Sequence, residues 1–264
     1  MQAIPTQWIV AAQQRWKPDG GRDRMMSAMA FDPAGGGRDE AVLAWRFGDW
    51  YDQIFSEASP KTADGSWSAS IIAGRRRDLA PVVVDVGGGA GHGFGGTTIM
   101  RLKDNEIEFR KFDGNGESMG KTVDGQLRFY NKRAEAWWRM REALDPDQPG
   151  GATLALPPDP ELRADLAAPT YEATGRGIKI ESKKDIKKRL GRSPGKGDAV
   201  VMCWSEGDLA ILKRERRGGI GASNATLPTQ ANLGGRQLHA DRVGRRGQTT
   251  VYPNQSSTYR DEQG

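Results

Sequence analysis

Pro81-Val82-Val83-Val84-Asp85-Val86 is an apolar run carrying one acid. Apolar character with no polar alternate is what a strand needs when both of its faces are covered, as in the sheet of a layered α/β fold. Upstream, Ala28, Ala30 and Asp32, the turn Gly35-Gly36-Gly37, and then Ala41-Val42-Leu43-Ala44-Trp45 predict two strands joined by a tight glycine connection. An aspartate again stands near the end of the first strand. Between these pieces, residues 66–77 read as an amphipathic helix. After the glycine-rich stretch 87–96, a short helix and the strand Ile107-Glu108-Phe109-Arg110 continue the alternation of strand and helix.

The second half reads as helices with a few short strands. Asn131 is placed to cap a helix in which Ala134, Trp137, Trp138 and Leu144 recur at helical spacing, with Glu135 and Arg139 paired four apart on the outside. The two tryptophans there are read as core packing. Leu154 to Leu156 predicts a short strand, Pro160 to Ala168 a short helix, and Ile178-Lys179-Ile180-Glu181 a half-buried strand. Ser182 and Asp185 make a capping box for the helix from Lys183 to Leu190, which Gly191 ends. A last helix starts at Ser193-Pro194, with the proline at its first position, and runs through Asp198 and the apolar residues 199–204. An N-terminal segment, 1–25, precedes the domain at 26–206. Residues 207–264, rich in Gly, Arg, Gln, Asn and Thr without periodicity, predict a basic, disordered tail.

Composition narrows the function classes. At 264 residues with 36% hydrophobic side chains, a core of ordinary size can be buried without metals or disulfides. Cys203 is the single cysteine, so an intramolecular disulfide cannot form, and a reducing, intracellular setting fits. No run of 18 apolar residues occurs, and the first residues lack the pattern of a secretory signal, so neither a membrane span nor export is expected. A net charge of +5 mildly favours an anionic partner.

Two glycine motifs suggest nucleotide binding, and neither holds. Gly116-Glu117-Ser118-Met119-Gly120-Lys121-Thr122 ends like a phosphate-binding loop, but Asn115 stands where that loop needs its first glycine. Gly91-His92-Gly93-Phe94-Gly95-Gly96 fits the dinucleotide pattern only because the segment is nearly all glycine. What remains is three acids in costly places: Asp32 at a strand end, Asp85 between valines, and Asp198 in the first turns of an apolar helix. A buried aspartate must be paired, protonated or bound to a cation. Three brought together repel one another, and divalent ions with oxygen ligands, Mg²⁺ or Mn²⁺, relieve that repulsion. Two such ions stabilise both the attacking and the leaving oxygen of a phosphodiester.

Several stretches resemble a known family. They are Phe31-Asp32-Pro33-Ala34-Gly35-Gly36-Gly37-Arg38-Asp39-Glu40, Val83-Val84-Asp85-Val86-Gly87, Phe129-Tyr130-Asn131-Lys132-Arg133-Ala134-Glu135-Ala136-Trp137-Trp138, and Glu181-Ser182-Lys183 followed by Lys187-Lys188-Arg189-Leu190-Gly191-Arg192-Ser193-Pro194 and Asp198-Ala199. Together they resemble the C-terminal nuclease domain of the large terminase subunit of tailed bacteriophages. The resemblance runs from about Ile4 to Trp204, and the opening Ile4-Pro5 to Arg15-Trp16 is similar to the connector that follows the motor domain.

It implies a ribonuclease H-like α/β fold, a mixed sheet of about five strands flanked by helices. It also implies a metal-dependent endonuclease cutting concatemeric double-stranded DNA with little sequence specificity. By that likeness Asp32 bridges two metal ions, Asp85 and Asp198 each hold one, and Asp39 is a lesser candidate for metal or support. Lys183, Lys187, Lys188, Arg189 and Arg192 are then candidates for DNA phosphates. Implied partners are a separate motor domain, the terminase small subunit and the portal, in the cytoplasm of the bacterial host; no ATPase motor is expected in this chain. Gly195 departs from the pattern, which often has an acid after Ser-Pro. The rival expectations are a non-catalytic module docking on the portal through its tail, and another ribonuclease H-like enzyme such as a junction resolvase.

Overall fold

A computed structural model describes residues 1–34, 39–58, 65–87 and 94–205. Its main sheet has six strands: β1 (Ala28–Asp32), β2 (Glu40–Phe47), β3 (Trp50–Tyr51), β4 (Phe55–Ala58), β5 (Val82–Asp85) and β6 (Phe109–Phe112). The order is β3-β2-β1-β5-β6, with β4 also on β2. β1 and β2 are antiparallel, whereas β5 runs parallel to both β1 and β6, so the sheet is mixed. A separate hairpin pairs β7 (Tyr171–Thr174) with β8 (Gly177–Ile180).

Alternation along the central strands divides the core in two. Ala28 and Ala30 of β1, Val42 and Ala44 of β2 and Val83 of β5 face one side. There they pack with α1 (Thr6–Arg15), α4 (Lys132–Leu144), α5 (Pro160–Ala167) and α7 (Gly195–Ser205). Met29, Phe31, Leu43, Val82 and Val84 face the other, against α2 (Ser66–Arg75) and α3 (Phe94–Asp104). With both faces covered, Val82, Val83 and Val84 are fully buried, each contributing about 1.5–3 kcal/mol relative to exposure. Packing therefore fixes β1 and β5, and the acids at their ends are carried into place.

Local signals explain the helices around the site. Asn131 accepts from Ala134 N–H at 2.9 Å and starts α4. Asp159 caps α5. Ser182 accepts from Asp185 N–H at 3.1 Å at the head of α6 (Lys183–Leu190), and Gly191, at φ 76°, ends it in the left-handed region that glycine tolerates. Ile4 and Ile9 are buried in the same core as α5 and α7.

The structure departs from the sequence reading in boundaries and strand count. Six strands replace about five, because the short β3 and β4 add to β2. β6 lies two residues beyond the expected strand: Glu106 takes a positive φ of 55° and Ile107 N–H closes the end of α3 on Leu102 O, so pairing starts later. Residues 154–156 make no named strand; Ala155 forms one bridge with Trp50. α2 ends at Arg75, where Arg76 turns extended. Pro194 precedes α7, its carbonyl accepting from Asp198 N–H. Residues 207–264 and His92 lie outside the described residues. Among those described, no helix is long and apolar enough to cross a membrane.

Candidate metal centre

β1 and β5 are parallel neighbours with Ala30 opposite Val83 and Phe31 opposite Val84. One step further along each strand stand Asp32 and Asp85. Both are in phase with the residues facing α7, Ala30 on β1 and Val83 on β5, because side chains on a strand alternate faces. The sheet's C-terminal edge thus presents two carboxyls side by side, where ligands of open α/β sheets commonly bind. α7 lies over this edge and supplies Asp198 from its first turn.

The three acids meet at one ammonium. Lys183 Nζ, at the start of α6, lies 3.0 Å from Asp32 Oδ2, 3.3 Å from Asp198 Oδ2 and 4.0 Å from Asp85 Oδ2. Asp32 and Asp198 are buried, Asp85 partly so. Burial pushes the Asp32 carboxyl up to about 7, Asp85 and Asp198 add to the rise, and Lys183 opposes it. Burial also raises Asp85, opposed by Lys183 and by the Gly87 N–H, while the neighbouring Asp198 adds to the rise. Burial works against ionisation of Asp198 too, but Lys183 and Arg133 outweigh it and hold that carboxyl below its ordinary range. Lys183 is raised: burial opposes its charge, and Asp32, Asp198 and Asp85 overcome that opposition.

Each acid has a further partner or an orphan atom. Asp85 Oδ1 accepts from Gly87 N–H at 2.8 Å. Asp198 Oδ1 accepts from Arg133 Nη2 and from Trp137 Nε1, both at 3.3 Å. Asp198 Oδ2 is buried with no hydrogen-bond partner. Gly195 packs close by: a Cβ there would lie 3.1 Å from Val42 Cγ2 and 3.6 Å from Asp32 Oδ2.

The other candidates are more dispersed. Lys187, one turn after Lys183, pairs with Asp39 at 2.6 Å. Arg189 is held by Glu181 at 2.6 Å and by Ala168 O at 2.7 Å. Arg192 pairs with the buried Asp165 at 2.6 Å and with Glu161 at 3.1 Å. Lys188 is exposed. Lys183 was legible as a basic residue near the third acid, but not as the ion joining all three. The parts played by Arg133 and Trp137 were not read at all, since their spacing on α4 signals packing; nothing in the sequence says that the indole N–H finds a carboxylate.

In donor type and charge the cluster suits a hard divalent cation: three carboxylates, no sulfur or imidazole, and one buried oxygen without a partner. Among the described residues no group of three His, Cys, Asp or Glu stands ready-spaced to hold a metal ion. The acids are gathered around an ammonium instead.

Solved structures show the same architecture. The nuclease domain of the large terminase subunit gp2 of bacterial virus Sf6 superposes with a TM-score of 0.60 at 22% identity, covering 77% of this chain and 98% of that one. The chain has the fold of a terminase nuclease domain. A point mutant of the Sf6 protein, solved with calcium, gives 0.61 at 22% identity over 77% of this chain and 99% of that one. A mutant nuclease domain with manganese and beta-thujaplicinol gives 0.59 at 22% identity, with coverages of 77% and 98%. The ribonuclease H-like mixed sheet expected from the sequence is therefore present. No family model and no curated protein matches the sequence.

Proposed function

We propose that this chain is a metal-dependent endonuclease of viral DNA packaging, cutting concatemeric double-stranded DNA with little sequence specificity by two-metal phosphodiester hydrolysis. The observation that carries the reading is the convergence of Asp32, Asp85 and Asp198, from two adjacent strands and a crossing helix, on a single positive charge. Its support is the fold shared with the Sf6 domain, mutant forms of which were solved with calcium and with manganese.

Asp32, Asp85 and Asp198 would hold Mg²⁺ or Mn²⁺. Bound there, such ions make a coordinated water acidic and neutralise charge building on the phosphate. Lys183 keeps the acids assembled as a built-in countercharge. Asp32 must release its proton, because a carboxylic acid is a poor ligand. Asp39 supports the edge through Lys187. Lys187 and Lys188 on α6 are the residues best placed to add phosphate affinity, while Arg189 and Arg192 act first as struts through Glu181 and Asp165. Grip on phosphate rather than on base edges accounts for low sequence specificity.

The packaging context implies a motor domain, a small subunit and a portal as partners, in the cytoplasm of the bacterial host. Plasmid DNA incubated with the chain and Mn²⁺ or Mg²⁺ tests the reading. Cleavage that EDTA stops and that Asp32→Asn abolishes is expected; no cleavage by the wild type, or undiminished cleavage by Asp32→Asn, would falsify it.

A further inference from the structure

Arg133 and Trp137 are four residues apart on α4, so they share one face of the helix. Both end on the same atom, Asp198 Oδ1, at 3.3 Å each. The guanidinium lies over the indole, 5.5 Å from its centroid. The other arginine nitrogen, Nη1, donates to Glu181 O at 2.8 Å, two residues before Lys183. One side chain therefore ties the third acid to the segment that delivers the central ammonium. Trp137 is 1% exposed. The indole N–H is only a donor, and its acceptor here is a carboxylate oxygen.

The opposite oxygen, Asp198 Oδ2, is buried without a hydrogen-bond partner. It faces Lys183 Nζ at 3.3 Å in an ion pair. Asp85 repeats the pattern with a backbone donor: Oδ1 is taken by Gly87 N–H at 2.8 Å, and Oδ2 looks toward Lys183 at 4.0 Å. Two of the three acids thus have one oxygen held by the protein and the other turned inward.

We propose that Arg133 and Trp137 are positioning residues of the cation site: by occupying Asp198 Oδ1 from two directions they present Oδ2 alone to a hard divalent cation. The proposal rests on the nuclease reading above. Two donors fixed on one helix stop the carboxylate from rotating, so its ordering is complete before a cation arrives. Neither donor competes for Oδ2. Groups that orient a metal's ligands typically govern about 10–100-fold in affinity or activity.

The test is calorimetric titration of the EDTA-stripped full chain with Mn²⁺, alongside the Mn²⁺ dependence of plasmid cleavage, for wild type, Asp198→Asn, Arg133→Gln and Trp137→Phe. Asp198→Asn should lose binding. Trp137→Phe and Arg133→Gln should weaken Mn²⁺ binding by about 10-fold or more, and saturating Mn²⁺ should restore the cleavage rate of Trp137→Phe, a split that a merely structural defect would not give. Should Arg133→Gln fail to fold, Trp137→Phe, which keeps an aromatic ring and removes the N–H, decides alone. Mn²⁺ affinity within about twofold of wild type in Trp137→Phe, with Asp198→Asn inactive, overturns this proposal and leaves the nuclease reading standing. A wild type that neither binds Mn²⁺ nor cuts DNA overturns both.

Discussion

Lys183 Nζ lies 3.0 Å from Asp32 Oδ2, across 151 residues of sequence. The ammonium lies among three acids that would otherwise repel one another. Before metal arrives, an acidic cluster of this kind is relieved by protonation and by such a charge supplied by the chain itself.

Replacing Lys183 by methionine should therefore destabilise the metal-free protein. Breaking a buried ion pair costs about 3–5 kcal/mol. With 39% of the lysine side chain open to solvent, screening brings the expected loss to about 1–2 kcal/mol. Thermal unfolding in EDTA should fall by several degrees, and added Mn²⁺ should restore most of the difference. A Lys183→Met midpoint equal to wild type in EDTA would contradict the countercharge role.

Asp32 predicts how stability depends on pH. Its native value of about 7 stands above the ordinary 3.8, so the folded state binds that proton more tightly than the unfolded chain. The contribution is full below about 4 and is lost as pH rises through about 7. Asp85 is shifted in the same direction. Asp198 is shifted down, and its contribution is lost only in acid, below its ordinary range. In EDTA, denaturant midpoints of the wild type should decline between about pH 5 and pH 8, and Asp32→Asn should flatten that decline. Mn²⁺ affinity should move the other way, strengthening as Asp32 ionises.

Much of this site was legible because strand alternation is a strict rule. Once Val82 to Val84 is a buried strand, Asp85 must share a face with Val83, and Asp32 with Ala30. Asp198 was legible from its place in the first turns of an otherwise apolar helix. What sequence could not supply was direction across the fold. Lys183, Lys187, Arg189 and Arg192 look alike as cations on a helix and its exit, yet they end on four different acid sets. Trp137 fits the apolar spacing of α4 whether or not its N–H has a task. β3 escaped because two residues carry too little pattern to read, and β4 because none of its four residues is buried.

Arg192 distinguishes a strut from a DNA contact. Its partner Asp165 is fully buried, and burial, opposed by Arg192, puts that carboxyl at about 6. Arg192→Gln leaves the acid without its cation, a loss of about 2–3 kcal/mol after allowing for the partly exposed guanidinium. Because Asp165 can take up a proton, the loss should shrink at about pH 5 and be largest near pH 8. Urea unfolding at the two pH values measures it. A stability unchanged by the substitution, with a shallower salt dependence of DNA binding, would assign Arg192 to phosphate instead.

Gly195 offers the sharpest probe of crowding at the acids. A side chain there starts 3.6 Å from Asp32 Oδ2 and 3.1 Å from a Val42 methyl, so Gly195→Asp sets a fourth carboxyl beside a group already reluctant to ionise. Steric relief costs about 1–3 kcal/mol, and Gly195→Ala carries that part alone. The charge adds a second effect: Asp32 should hold its proton to higher pH, so the decline of metal-free stability with pH should move upward in Gly195→Asp and not in Gly195→Ala. Saturating Mn²⁺ should recover more stability for the aspartate than for the alanine, since only the aspartate brings a new oxygen ligand to the cluster. Equal pH profiles and equal Mn²⁺ rescue in the two variants would mean that position 195 faces Val42 and not the acids.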